Sequence, residues 1–194
     1  MEDKVLNEKE SLELISLMIR NTQSRIEAGS GRYFLIWGYV TVLIALAVWG
    51  MITVTGDLYW HLLWYGIPVL GFIFSFVFGR KQIPGVKTYM DRIVNYVWIV
   101  CGIAGLLSSC LTPFVAGFPI LYVIVLLMGV GTTLTGLIVR FKPAVIGGIA
   151  GICLQTVLSL LLPANSQILV FAVVFILMMI IPGHILNSQF KTQS

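Results

Sequence analysis

The sequence predicts an all-α, polytopic membrane protein: six transmembrane helices in three outward-pointing hairpins, preceded by a cytosolic amphipathic helix. Three observations carry this. Of the 194 residues 58% are hydrophobic and only 10% charged, a balance that excludes an ordinary soluble domain. Apolar runs of about 20 residues, the length a helix needs to cross a hydrocarbon core of about 30 Å, recur along the chain. All 12 Lys and Arg residues fall in segments that alternate to one side of those runs.

Residues 1–31 read as a cytosolic N-terminal segment. From about 11 to 28, Leu12, Ile15, Met18, Ile19 and Ile26 recur at helical spacing on one face, widened by Leu14 and Leu17, with Glu13, Arg20, Ser24 and Glu27 opposite. Such a helix either lies at the headgroup level or offers a face to a protein partner or a second copy of the chain. Gly29-Ser30-Gly31 is expected to end it as a hinge. The first thirty residues lack the charged, apolar and cleavage regions of a secretory signal peptide, so the first span is expected to act as an uncleaved anchor.

The bundle occupies 32–187, with spans at about 34–54, 60–78, 93–112, 118–139, 144–162 and 168–186, and 188–194 form a cytosolic tail. The runs are too long for strands and show no alternation. Asn165 or Ser166 can cap the sixth span, and Pro182-Gly183 should kink its last turn.

Orientation follows from the connections. Lys4, Lys9, Arg20, Arg25 and Arg32 precede the first span; Arg80, Lys81, Lys87 and Arg92 lie between the second and third; Arg140 and Lys142 lie between the fourth and fifth; and Lys191 follows the sixth. The turns near Gly56-Asp57, Pro113 to Gly117 and Pro163-Ala164 carry no Lys or Arg. The positive-inside rule then places both termini in the cytoplasm. Tyr33, Trp37, Tyr89 and Tyr96 on one side, and Trp49, Tyr59 and Trp60 on the other, stand where interfacial aromatic anchors are expected. The basic balance points to lipid headgroups and not to nucleic acid.

No Lys, Arg, Asp or Glu lies inside any span. Ion-coupled carriers and intramembrane hydrolases keep ionisable groups at membrane depth, so this pattern speaks against both. His61 and His184 fall near opposite faces and cannot share a metal. The expectation is a chain that is not an enzyme, with no cofactor and no metal. The remaining intramembrane polarity is uncharged. Gly131, Thr132, Thr135 and Gly136 in the fourth span, Gln155 in the fifth and Asn95 in the third form a candidate ligand or packing face. Small residues at such spacings admit close helix approach, as does Gly147/Gly151, and hydroxyls can bond across helices. Gln155 should face the interior, because an amide in lipid costs several kcal/mol. Cys101 and Cys110 stand about 13 Å apart along one helix, too far to bridge. Cys101 and Cys153 reach similar depth if the third and fifth spans are neighbours.

The run SLELISLMIRNTQSRI, followed by GSG and FLIWGY, and the later KTYMDRIVNYVW together resemble a group of small six-helix bacterial inner-membrane proteins. The resemblance is strongest over the first hundred residues. It implies an inner-membrane location and cytosolic termini, and brings no activity with it. A looser likeness, in size and span count, is to the substrate-capture subunits of energy-coupling-factor vitamin transporters. Their first-helix AxxxA face is missing here, the nearest match being Thr41/Ala45. Two functions are therefore expected. The first is an accessory, sensory or assembly component that contacts lipid or a partner through its N-terminal helix. The alternative is a small-molecule binding or transport protein with an uncharged site lined by the third to fifth spans.

Overall fold

The computed structural model describes residues 8–79 and 89–191; of the helical residues before Gly31, only Leu12 and Glu13 have described side chains. Every regular element among the described residues is helical. The elements are α1 (Glu8–Thr55), a 3-10 segment (Leu58–Tyr65), α2 (Gly66–Gly79), α3 (Tyr89–Leu111), α4 (Ile120–Val139), α5 (Lys142–Leu161), α6 (Ala164–Phe175), a π segment (Ile176–Ile180) and α7 (Ile181–Lys191). They supply six helices long and apolar enough to cross a membrane: Gly31–Thr55, Leu58–Phe78, Tyr89–Leu111, Ile120–Val139, Lys142–Leu161 and Asn165–Ser188. Around the bundle large apolar side chains such as Leu43, Phe72, Val100, Leu107 and Leu160 are exposed, the surface a lipid-facing protein presents.

The first correction concerns the hinge. Helix α1 runs unbroken for 48 residues through Gly29-Ser30-Gly31, about 72 Å at ~1.5 Å per residue. Glycine costs only about 1 kcal/mol relative to alanine inside a helix, and helix formers flank it on both sides. Gly31 instead serves packing: a Cβ there would come within 3.2 Å of the Leu186 side chain, and one on Gly183 would lie 3.2 Å from the Gly31 carbonyl. With Gly38, whose absent Cβ makes room for Ile180 and Met179, and with the buried Ala45, it forms a seam of small residues that seats α1 on α6, the π segment and α7.

The second span departs from the expected single α-helix. Its first eight residues form a 3-10 segment. Asp57 caps it by accepting from the Tyr59 N–H at 3.3 Å, and the Trp60 indole donates to Thr55 Oγ1 at 2.9 Å. The sixth span also differs. Pro182 offers no N–H to the carbonyl four residues back, and the five residues before Ile181 widen into a π turn, with the Ile181 N–H reaching Ile176 O. A π turn of this kind, like the proline itself, is a place at which helices bend. Neither Asn165 nor Ser166 caps this span: Pro163 holds that position, and Gln167 donates to the Ser159 and Leu162 carbonyls at 3.2 and 3.1 Å, tying α6 to the end of α5.

Two of the turns away from the basic residues rest on glycine in the left-handed region, Gly56 at φ 70° and Gly117 at φ 74°. On the basic side Arg140 adopts φ 59° and its N–H closes the end of α4 on the Gly136 and Leu137 carbonyls. Pro143 stands in the first turn of α5, where its missing N–H costs no helical bond.

Span six is the hub. Its Ile168, Phe171, Val174, Phe175 and Met178 form one core with Val42, Ala45 and Val48 of α1 and Val125 of α4. The helices run around it in the order α2, α1, span six, α5, α4, α3, with α4 against α5 the most extensive pair. Helix α2 rests on α1, where Gly66 and Gly71 lie against Ile44 and the face of Trp37, and α3 rests on α4. Of the most apolar 18 residues of each span, 56% are buried in the sixth but only 6% in the second and 11% in the third. Among the described residues no packed interface joins α2 to α3, so the ring of helices is open at that point.

Candidate functional site: a lateral groove between the second and third spans

The opening leads into a groove of about 2390 Å³, lined by α1, the 3-10 segment, α2, α3, α4 and α6. Its floor is aromatic. Near the basic end Phe34 of α1 meets Trp98 of α3 edge-on at 6.0 Å; towards the other end Trp64 meets Phe171 edge-on at 5.4 Å, and Phe171 packs against Phe175 at 4.6 Å with the rings tilted by 38°. Trp37, held against Phe72 at 5.5 Å, forms part of the α1–α2 side. This is an apolar surface shaped by rings, and rings resist collapse because each has few rotamers and a rigid area to pack.

Polar groups enter the groove at defined heights. Arg32, Asp91, Arg92 and Asn95 line its basic end with Thr135 beside Trp98 next to them, Thr41 lines its middle, and Asp57, His61, Asn165 and Gln167 line its far end. Thr135 is fixed by two bonds: the Trp98 indole N–H donates to its hydroxyl at 3.1 Å, and the hydroxyl donates to the Gly131 carbonyl at 2.8 Å. That relay pins the Trp98 ring across the α3–α4 interface. Arg32 Nη1 donates to the Phe78 carbonyl at 3.3 Å, which ties the start of the first span to the end of the second. His61 Nδ1 lies 3.2 Å from the Trp64 indole nitrogen as its acceptor.

The six residues of the candidate ligand or packing face do not assemble into one site. Asn95 and Thr135 line the groove; Gly131, Thr132, Gly136 and Gln155 do not. Gly131 backs onto Cys101 and Trp98. Gly136 lets α5 approach so closely that a Cβ would stand 2.8 Å from the Val145 nitrogen, and Gly148 answers from α5 with a Cβ position 2.8 Å from the Gly129 carbonyl. These glycines pack α4 on α5. Thr132, Thr133 and both polar atoms of Gln155 are buried without a hydrogen-bond partner, each at a cost of about 1–3 kcal/mol. Thr156 satisfies its hydroxyl on the Ile152 carbonyl of its own helix.

Other sequence candidates also separate. Cys101 is buried against Gly131, whereas Cys153 is exposed on α5, so they do not form a pair. His184 shares a 2.7 Å hydrogen bond with the Tyr39 hydroxyl on the α1–α7 side, away from His61. No group of three His, Cys, Asp or Glu is placed to hold a metal among the described residues. On the N-terminal face Leu12 is 65% exposed; Ile15, Met18, Ile19 and Ile26 lie on the same helix, their side chains outside the described residues.

Sequence reasoning missed the groove itself. Small residues of both spans, among them Gly71 and Gly105, are readable as close-approach positions, but only the fold shows that they meet α1 and α4 and not each other. Comparison with protein-family models, with curated proteins and with solved structures found no match. The chain's own helices and surface identify it as a polytopic membrane protein in contact with the lipid bilayer.

Proposed function

We propose that the chain is a non-catalytic inner-membrane protein, with both termini in the cytoplasm, that takes up an amphiphilic small molecule laterally from the bilayer through the groove between α2 and α3. The observation that carries this reading is a cavity of about 2390 Å³ walled by five helices and the 3-10 segment, with no packed interface between α2 and α3 to close it. Ligand sites are typically concave and apolar with a few placed polar groups, and here Asn95, Thr135 and Thr41 supply them. The orientation rests on all 12 basic residues falling to one side of the spans. The charged residues of the spans, Arg32, Asp91, Arg92 and Lys142, all stand within the first four residues of their helices and none lies deeper, which favours binding over chemistry.

The test uses Gly102, which lines the groove and has nothing within 4 Å of an added Cβ. Native mass spectrometry of the protein extracted in mild detergent should show a retained amphiphile, lost in Gly102→Phe with folding unchanged. Equal retention in both proteins, or none in the wild type, would remove the groove reading.

A second reading, an accessory or assembly component that meets a partner through its N-terminal helix, has its own support. Helix α1 continues for 23 residues (8–30) before the first span, about 34 Å at ~1.5 Å per residue, further than a helix needs to anchor its span. Deleting residues 1–28 should leave insertion intact and abolish partner or self-association; unchanged co-purification after the deletion would dismiss this reading.

A further inference from the structure

We propose that the basic end of the groove is a headgroup site for one anionic phospholipid, whose acyl chains lie along the aromatic floor. This rests on the groove reading above and adds the chemical class of its occupant. The first observation is a set of donors that line one end of the groove. Arg32 lines the groove where α1 enters the apolar run, and its bond to the Phe78 carbonyl holds the guanidinium at the edge of α2. Arg92, exposed in the first turns of α3, lines the same end. Asn95 follows one turn deeper on α3, and Ser75, one turn before Phe78 on α2, presents a groove-lining hydroxyl that is buried without a partner. Against two guanidiniums, one amide and one hydroxyl stands a single acid, Asp91.

That set matches a phosphodiester. Arginine offers its N–H groups to phosphate oxygens in a fork, and the net positive charge favours an anionic over a zwitterionic lipid by complementarity. The second observation is dimensional. From Arg92 to Ser109, both groove-lining, α3 rises about 25 Å at ~1.5 Å per residue. A single leaflet fills about half of a ~30 Å core, so acyl chains starting at Arg92 end within the groove. Below the headgroup position the wall turns to Trp37, Trp98, Phe171 and Phe175, surfaces suited to hydrocarbon.

The position also explains the charge bias of the groove. Two arginines against one aspartate, Asp91, at its basic end and Asp57 at the other give the cavity a charge polarity from end to end. An anionic headgroup therefore has one favoured end, and it is the end at which the chain carries its cations.

The experiment uses the full-length protein in nanodiscs that mix phosphatidylglycerol and phosphatidylcholine, with retained lipids counted by native mass spectrometry. The wild type should retain phosphatidylglycerol in preference. Removing a basic residue at a membrane surface lowers anionic-lipid affinity by about fivefold, so Arg92→Gln should cut the preference about fivefold and Arg32→Gln/Arg92→Gln should abolish it, while total lipid retained stays constant. Arg92→Gln leaves the Arg32–Phe78 bond in place and carries the test if the double variant is unstable. Gly102→Phe should lower retention of both lipids together. Preference unchanged in Arg92→Gln would overturn the headgroup assignment while leaving the groove reading standing. Retention of neither lipid by the wild type would overturn both. Displacement of the lipid by millimolar inorganic phosphate would mark a soluble-anion site and overturn the lipid assignment.

Discussion

The two sides of this bundle are both built from apolar membrane-length spans and behave as opposites. On one side α1, span six, α5 and α4 meet through glycines and alanines that admit neighbouring backbones, as at Gly31 with α7 and Gly136 with α5. On the other, α2 and α3 each lean on one main neighbour and leave a groove between them. In lipid there is no water to drive apolar faces together, so contact is won by close packing and not by hydrophobicity. Helices that carry small residues at the right spacing close up. Helix α2 directs Gly71 at Trp37 of α1 and α3 directs Gly105 at Ile124 of α4, so neither brings its close-approach positions to the other and a groove remains between them.

The largest expected effect breaks the closed side. Gly148→Leu must displace the α4 backbone at Gly129 and Thr133; overpacking of this kind costs about 1–3 kcal/mol or more, and size-exclusion chromatography in detergent should show aggregated or absent protein. On the open side Gly102→Phe, with no atom within 4 Å of its Cβ, should give a monodisperse peak and an unchanged unfolding midpoint. If both variants behaved alike, the contrast between the two sides would fail.

A smaller effect sits at the border between them. Trp98→Phe removes the indole bond to Thr135 but keeps a ring in the groove, so it should cost about 0.5–1.5 kcal/mol, read as a modest drop in the thermal midpoint with lipid retention preserved. Smallest of all is Gln155→Met. Its amide is fully buried with no partner, so removing it while filling its volume should stabilise the closed side by up to about 1 kcal/mol. A lowered midpoint would mean that Gln155 holds a buried water or ligand.

These contrasts also mark what the chain discloses before it folds. The six spans were legible because a run of about 20 apolar residues has few alternatives in a protein of this composition. The continuity of α1 through Gly29-Ser30-Gly31 was not, because local propensity counts glycine as a break while Gly31 is spent on contact with Leu186, more than 150 residues away. The 3-10 start of the second span depends on Asp57 and on the Trp60–Thr55 bond, neither of which changes hydropathy. Gly136 and Gly131 were legible as close-approach positions, yet only the fold decides that one meets α5 and the other α3. Asn95 and Thr135 face the same groove from adjacent helices, whereas Gln155 and Thr132 are fully buried away from it. Lipid-facing, groove-facing and core-facing positions all draw on Leu, Ile, Val and Phe, so composition cannot separate them.

Fluorescence quenching of Trp98 is the most direct measurement of the open groove. The chain has five tryptophans; replacing Trp37, Trp49, Trp60 and Trp64 with Phe leaves Trp98 as the reporter on the groove wall. Reconstituted in lipids brominated along their acyl chains, this variant should be quenched strongly, because hydrocarbon reaches the ring between α2 and α3. Trp98 emission unchanged by brominated lipid would mean that the two helices close over it, and the account of a lipid-accessible groove would be wrong.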